Sequence, residues 1–303
     1  MNNKQNCIIF MSLRPYTLLA TLMALFPTTT ALAQDCPNPP GWLPGNLPEL
    51  LFEHHIWATE ILPPDPNDPR RLNLCHADLS GLDLSEVNLS YANLSISRSA
   101  GTNFKGANLK GAKFDGAYIT GSDFEGSRLD RASFRGVEIT GSHFAYADMD
   151  DSLFQNSKLH ASDFTGSRFA KAKFWRSQLS DLKMPNTALS RSVFIESHLT
   201  KIDFSGADLS RASFFQTTLS QVNFYFADLS RADLRQATIQ EVTFKEALLY
   251  LSDLTALNIG EEKPGHIGEF CHNLTRARDW QLSYRPKRFL CGAQILPGKY
   301  DLK

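Results

Sequence analysis

From Leu74 to Ile259 a large apolar residue stands at every fifth position, and the phase never slips. The series opens Leu74, Leu79, Leu84, Leu89, Leu94, Ser99, Phe104, Leu109, Phe114 and Ile119, and Ser99 is the one polar member among 38 positions. A helix repeats its buried face about every 3.6 residues and a strand about every two, so neither accounts for a step of five. The residue two places earlier is small, as at Ala77, Ala92, Ala107, Ala112, Ser122 and Ser127, with occasional Val, Thr, Leu or Ile. The other three positions are mostly polar. Each unit of five therefore turns one large and one small side chain inward, and the chain must bend after every short extended piece. Gly101, Gly106, Gly111, Gly116, Gly121, Gly126, Gly136 and Gly141 stand at that bend, as expected of a backbone that needs positive φ there.

A second period overlies the first. Phe104, Phe124, Phe144 and Phe164 are 20 residues apart, as are Phe114, Phe134, Phe154, Phe174, Phe194 and Phe214. Leu109, Leu129, Met149 and Ile119, Ile139, Leu159 lie between them. Four units per coil give a square cross-section with Phe on two opposite walls. Coils stacked at the strand spacing of about 4.8 Å would build a rod roughly 45 Å long. Full burial contributes about 1.5–3 kcal/mol per large side chain, although no single repeat can fold alone.

His76-Ala77-Asp78-Leu79-Ser80, Tyr91-Ala92-Asn93-Leu94-Ser95, Gly206-Ala207-Asp208-Leu209-Ser210 and Arg231-Ala232-Asp233-Leu234 resemble the A-(D/N)-L-x-x motif of pentapeptide-repeat proteins. The resemblance covers about residues 72–259. It implies an all-β fold, the right-handed quadrilateral β-helix of that family, and implies little about activity, because the family is defined by its scaffold. Three places depart from the pattern: Ser97 and Ser99 turn inward, Met184-Pro185-Asn186 predicts a local bulge, and the outside of 153–200 is less regular.

The ends have another character. Lys4, Arg14, the apolar run Tyr16 to Phe26 and Ala31-Leu32-Ala33 read as a signal peptide over 1–33, with an uncleaved anchor as the alternative. Residues 34–71 read as an N-terminal cap holding a helix over Asn46–Leu62, with Leu50, Leu51, Trp57 and Ile61 as its apolar stripe. Residues 260–303 read as a C-terminal cap, with a helix over Thr275–Tyr284 anchored by Trp280. An exported chain loses Cys7 with its leader and keeps Cys36, Cys75, Cys271 and Cys291, an even set that suggests disulfides. Cys75 lies on the first coil and Cys271 beyond the last, so the expected pairs are Cys36–Cys75 and Cys271–Cys291. Such a protein would be periplasmic or secreted, or lumenal in a thylakoid.

Composition narrows function mainly by exclusion. The chain has 31 Lys+Arg against 32 Asp+Glu, so no global field draws it to nucleic acid or an anionic membrane. No phosphate loop, zinc spacing or nucleophile elbow occurs. His54-His55 reads as a face of the cap helix, and His143, His160 and His198 fall on different columns. The expectation is therefore no catalytic or metal-binding residue, no cofactor and no integral membrane segment after cleavage. Asp78, Asp83, Asp123, Asp148 and Asp163 occupy the motif's second position, where they are expected to bond the loops. The sequons at Asn88, Asn93 and Asn273 matter in a eukaryotic host. The reading is a non-enzymatic exported scaffold that binds an unknown protein or itself. The alternative is a DNA mimic that protects topoisomerase, as in the quinolone-resistance branch of the family. Residues 72–259 carry 19 Lys+Arg against 21 Asp+Glu, whereas a mimic needs a strongly acidic rod. Leu153, Trp175, Val193, Ile195 and Phe215 are expected to form an exposed apolar docking strip, unless they lie flat on the wall or under the C-terminal tail.

Overall fold

The computed structural model describes residues 36–60, 68, 70–259, 271–272 and 274–284. The expected leader, Ile61, Leu62, Asn273 and Cys291 lie outside them. The long period of the sequence is a hydrogen-bonding offset. Residues at the large apolar position donate to a carbonyl on the following coil, as Leu74 does to Asn93 (2.7 Å) and Phe214 to Asp233 (2.7 Å). Their predecessors donate to the coil before, as Asn93 does to Leu72 (2.9 Å) and Asp123 to Thr102 (3.0 Å). Every coil is thus bonded to the coils above and below.

Three walls turn at their centre. There the small residue donates back to the large one, as Ala77 does to Leu74 (3.1 Å) and Ala112 to Leu109 (3.0 Å), and the second of the two residues between them has positive φ. That is the pattern of a type II turn. Gly fills this corner often before residue 142, while later corners are largely Arg, Lys, Asn, Asp, Gln or Glu in the same left-handed conformation. The fourth wall is extended and holds β1 (Arg98–Ala100), β2 (Tyr118–Thr120), β3 (Glu138–Thr140), β4 (Lys158–His160), β5 (Gln178–Ser180), β6 (His198–Thr200), β7 (Thr218–Ser220), β8 (Thr238–Gln240) and β9 (Asn258–Ile259). They form one parallel sheet in sequence order, Ile119 opposite Ile139 and Leu199 opposite Leu219.

The core is stacked like on like. Phe104, Phe124, Phe144 and Phe164 stack at 4.4–4.8 Å. Phe114 through Phe214 stack at 4.7–5.0 Å on the opposite wall. The two stacks meet edge to face, Phe104 on Phe114 at 87°, which suits the ring quadrupoles. At the small inward position buried hydroxyls form their own ladder. Ser142 N–H donates to Ser162 Oγ (3.1 Å), and Thr217 Oγ1 to the Phe194 carbonyl (2.7 Å). Ser97 and Ser99 point inward and are fully buried without interrupting the coil.

The motif's Asp or Asn closes the outside of each turn. Asp78, Asp83, Asp123, Asp148 and Asp163 each accept the N–H two residues on, at 2.9–3.3 Å, an Asx arrangement. This explains why the expected bulge at Pro185 does not occur. The residue at Pro185's position has no backbone partner for its N–H and sits where a turn wants φ near −60°. Proline fits there, and Lys183 replaces the acceptor that proline would not use. Met184 and Asn186 keep their bonds to Asp203 and Ser205 (both 2.8 Å).

Both open edges are covered. Helix α1 (Leu47–Glu60) packs Leu47, Leu50 and Leu51 against the core, Trp57 is fully buried beside His54, and Trp42 bridges Ala77. At the other end the expected helix over 275–284 is instead a segment that pairs with the last coil, with one 3₁₀ turn at Trp280–Leu282. Arg278 exchanges bonds with Ala247 and Leu249 (2.7 and 2.9 Å), and Tyr284 with Ser252 and Leu254 (both 2.8 Å). The unsatisfied edge outweighs the helical pattern because each bare N–H and C=O there needs a partner. Trp280 is buried beneath this segment as the anchor.

At some corners a side chain lies flat on the glycine of the next coil. A Cβ on Gly166 (φ +65°) would stand 2.7 Å from the Tyr146 ring, whereas one on Gly121 (φ +59°) would meet nothing within 4 Å. Gly121→Ala should therefore lose about 1–2 kcal/mol from the left-handed backbone. Gly166→Ala should lose more, and the excess should vanish in a Tyr146→Ala background. Chemical denaturation of the four variants measures this.

Candidate functional site

The columns on the outside of the rod carry whatever site it has. Column neighbours one coil apart touch, so their charges must be compatible. Opposite charges meet in Lys105–Glu125 (2.9 Å), Lys110–Asp130 (3.1 Å), Glu138–Lys158 (2.7 Å), Arg176–Glu196 (2.8 Å) and Asp181–Lys201 (3.8 Å), each pair on successive coils. Each exposed pair contributes about 0–1 kcal/mol. The set makes alternation the rule of this surface.

Two stretches break the rule. In the first, the column Asp115–Arg135–Gln155 is polar and internally bonded, Arg135 donating to Gln155 Oε1 (3.0 Å), and then becomes Trp175, Ile195 and Phe215. Leu153 and Val193 flank it on the far side of the Phe wall. Trp175, Ile195 and Phe215 follow one another, while Lys173 separates Leu153 from Val193, and all five apolar side chains are half-buried. They lie along the wall, and cations cover the two ends of the column. Lys173 Nζ sits 5.9 Å from the Trp175 ring and the Arg235 guanidinium 5.7 Å from the Phe215 ring, favourable cation–π placements. Trp175 Nε1 is enclosed without a hydrogen-bond acceptor.

The second break was not visible in the charge count. Lys171, Arg191, Arg211 and Arg231 follow one another, one per coil, on the turn corner of the wall formed by Phe169, Leu189, Leu209 and Leu229. All four are exposed with φ of 59–61°. Ser190, Ser210, Ser230 and Tyr250 form the adjacent column, and together they line an open groove of about 570 Å³ in which Asp208 is the one carboxylate. The signal was the identity of residues one coil apart, which a total of charges conceals.

A sequence model of pentapeptide repeats matches in eight copies, the first over 70–95 and the others overlapping from 100 to 255. The chain belongs to the pentapeptide-repeat family. Among solved members, HetL, involved in heterocyst differentiation regulation in the cyanobacterium Nostoc sp. strain PCC 7120, is 20% identical over 76% of this chain and 92% of its own, with a TM-score of 0.46. QnrB1, a plasmid-mediated fluoroquinolone resistance protein, is 18% identical over 62% and 89%, with a TM-score of 0.53. A pentapeptide repeat protein of the Arabidopsis thaliana thylakoid lumen is 23% identical over 35% and 66%, with a TM-score of 0.20. No curated protein sequence matches significantly. The likeness to QnrB1 is one of fold.

At the N-terminal end of the solenoid Cys36 is bonded to Cys75, with Cα atoms 5.8 Å apart. Trp42 Nε1 donates to the Cys75 carbonyl (2.8 Å), and His76 Nδ1 lies 2.8 Å from the Asn38 carbonyl. Cys271 is also disulfide-bonded. His160 bonds Ser180 (2.9 Å) on the sheet wall, and among the described residues no cluster of His, Cys, Asp and Glu could hold a metal. His54 and His55 part company: His55 is exposed, while His54 is fully buried against Trp57, its Nδ1 accepting Leu72 N–H (3.0 Å).

Burial pushes the His54 imidazole down to about 4. A folded value below the unfolded 6.5 means that the unfolded chain takes the proton first. The stabilisation is full above pH 6.5 and is lost as pH falls from 6.5 to 4, by about 3 kcal/mol at the cap. Protection factors of the α1 amides, with the intrinsic pH dependence of exchange removed, should fall as pH drops across that interval, and His54→Gln, which keeps an acceptor for Leu72, should flatten the step.

Proposed function

We propose that this chain is an exported, non-enzymatic scaffold whose outer columns dock a protein partner or a second copy of itself. The observation that carries the reading is the column Trp175–Ile195–Phe215, apolar over three successive coils where it is otherwise Asp115, Arg135, Gln155 and Arg235. Aromatic side chains are favoured anchors at interfaces, and half-buried rings on a rigid wall lose little side-chain freedom on docking. The motif's carboxylates, occupied as turn acceptors, fit a structural role better than acid–base work. Export is supported by the leader pattern and by the Cys36–Cys75 bond, which persists in oxidising compartments. No helix among the described residues is long and apolar enough to cross a membrane.

A second reading, a DNA mimic that shields topoisomerase, comes from the resemblance to the quinolone-resistance branch of the family. Weighing against it are the balance of 19 cations and 21 carboxylates along 72–259 and a whole groove lined with cations. A surface imitating duplex phosphates must be negative.

Trp175→Ser combined with Phe215→Ser should abolish concentration-dependent self-association, or capture of the partner, while thermal unfolding shifts little. Sedimentation compares the two proteins, and identical behaviour would reduce the strip to wall packing. In a gyrase supercoiling assay the wild-type protein should leave activity unchanged at low micromolar concentration; inhibition there would promote the mimic.

A further inference from the structure

The groove beside Lys171, Arg191, Arg211 and Arg231 is the least self-sufficient part of the surface. Several cations elsewhere meet a carboxylate one coil away, as Lys105, Lys110, Lys158 and Arg176 do, but here four like charges are stacked in succession. None of the four side chains makes an ion pair or hydrogen bond among the described residues. Like charges directly opposite each other on neighbouring strands are destabilising, so the fold alone does not account for the column. Beside it, the hydroxyls of Ser190, Ser210 and Ser230 also make no hydrogen bond among the described residues, although their backbone groups do. Tyr250 closes the groove with an exposed ring.

We propose that this groove binds a linear acidic polysaccharide, one carboxylated sugar per coil. The pitch selects this class. Cations recur once per coil, at about 4.8 Å; a sugar in an extended 1,4-linked chain advances by nearly the same step, and rotation about its glycosidic bonds lets successive carboxylates, which alternate in side when the chain is a flat ribbon, turn toward one column. Side chains on one face of an extended acidic peptide recur only every second residue, about 6.6–6.8 Å, and lose register after one or two contacts. Nucleic acid carries charge far more densely, about one per 3.4 Å of each strand, and overruns the one-per-coil spacing of the cations. The free hydroxyl column matches the hydroxyls of a sugar, and the Tyr250 ring offers a platform for a pyranose C–H face. Four ion contacts make binding depend on salt. The inference rests on the non-enzymatic scaffold reading and names one partner for it.

The probe is a hexauronate, titrated calorimetrically into the full chain at low and at physiological salt, with a neutral hexasaccharide, poly-glutamate and single-stranded DNA of equal charge as comparisons. The hexauronate should bind best and weaken severalfold with salt. Arg191→Ser with Arg211→Ser should weaken it at least tenfold while raising the unfolding temperature, since repulsion is relieved. Lys105→Ser, on another wall, should leave affinity unchanged. Absent binding, undiminished binding by the double variant, or equal binding of DNA or poly-glutamate would overturn the site and leave the scaffold reading standing. Binding with the sugar chain recovered cleaved would instead keep the site and overturn the non-enzymatic reading.

Discussion

Everything in this molecule depends on the fixed offset between hydrogen-bonded coils. Once Leu74 donates to Asn93 and Asn93 to Leu72, each residue is committed to its counterpart on the next coil as its neighbour. Side chains must then tolerate their own kind, and the chain meets this in different ways by depth. Phenylalanines stack with rings nearly parallel, as Phe194 and Phe214 do at 3°. Serines pass hydroxyl bonds along the axis, and surface charges alternate. Stability is distributed among nearest-neighbour coils, so the ends, where one neighbour is missing, need separate structures.

The corners show the limit of what the offset tolerates. A left-handed residue is needed at every turn, and non-glycine side chains supply most of them after residue 141. A single such residue would be a local strain, but here most of them donate their N–H to the coil ahead, as Arg191 does to the Ser210 carbonyl (2.9 Å). Some corners recover packing as well: Tyr91 covers Gly111, and Tyr146 covers Gly166.

The step of five and the Phe period are legible in the sequence because the buried positions allow so few residue types. What is not legible lies where a residue's meaning depends on its wall. Nothing in the motif says which wall is extended, although Leu182, Ile202, Val222 and Val242 in place of the usual Ala mark it once the sheet is seen. Pro185 suggests a bulge and makes none, because its position, unlike that of Met184, has no ladder bond to lose. Residues 275–284 carry a helical pattern that yields to a bare sheet edge, a tertiary demand that no local window contains. Trp175, Ile195 and Phe215 share one column as their spacing requires, but lie flatter than an outward-pointing rule suggests. The Arg191 column disappears in a sum of charges and emerges only as a line along the axis.

The division of each coil into four five-residue units has a consequence for how such a chain can change. Removing one whole coil shortens the rod and leaves every later residue above its former column. Removing a single repeat leaves the apolar step intact, so the core still closes, yet each downstream residue moves to the next wall. Arg211 and Arg231 would then turn a quarter of the way around the axis from Lys171. A deletion of one repeat keeps an apolar residue at each inward position, though it sets downstream Phe above Leu or Ile, and it rewrites the exterior, so the molecule can acquire a new face without acquiring a new fold.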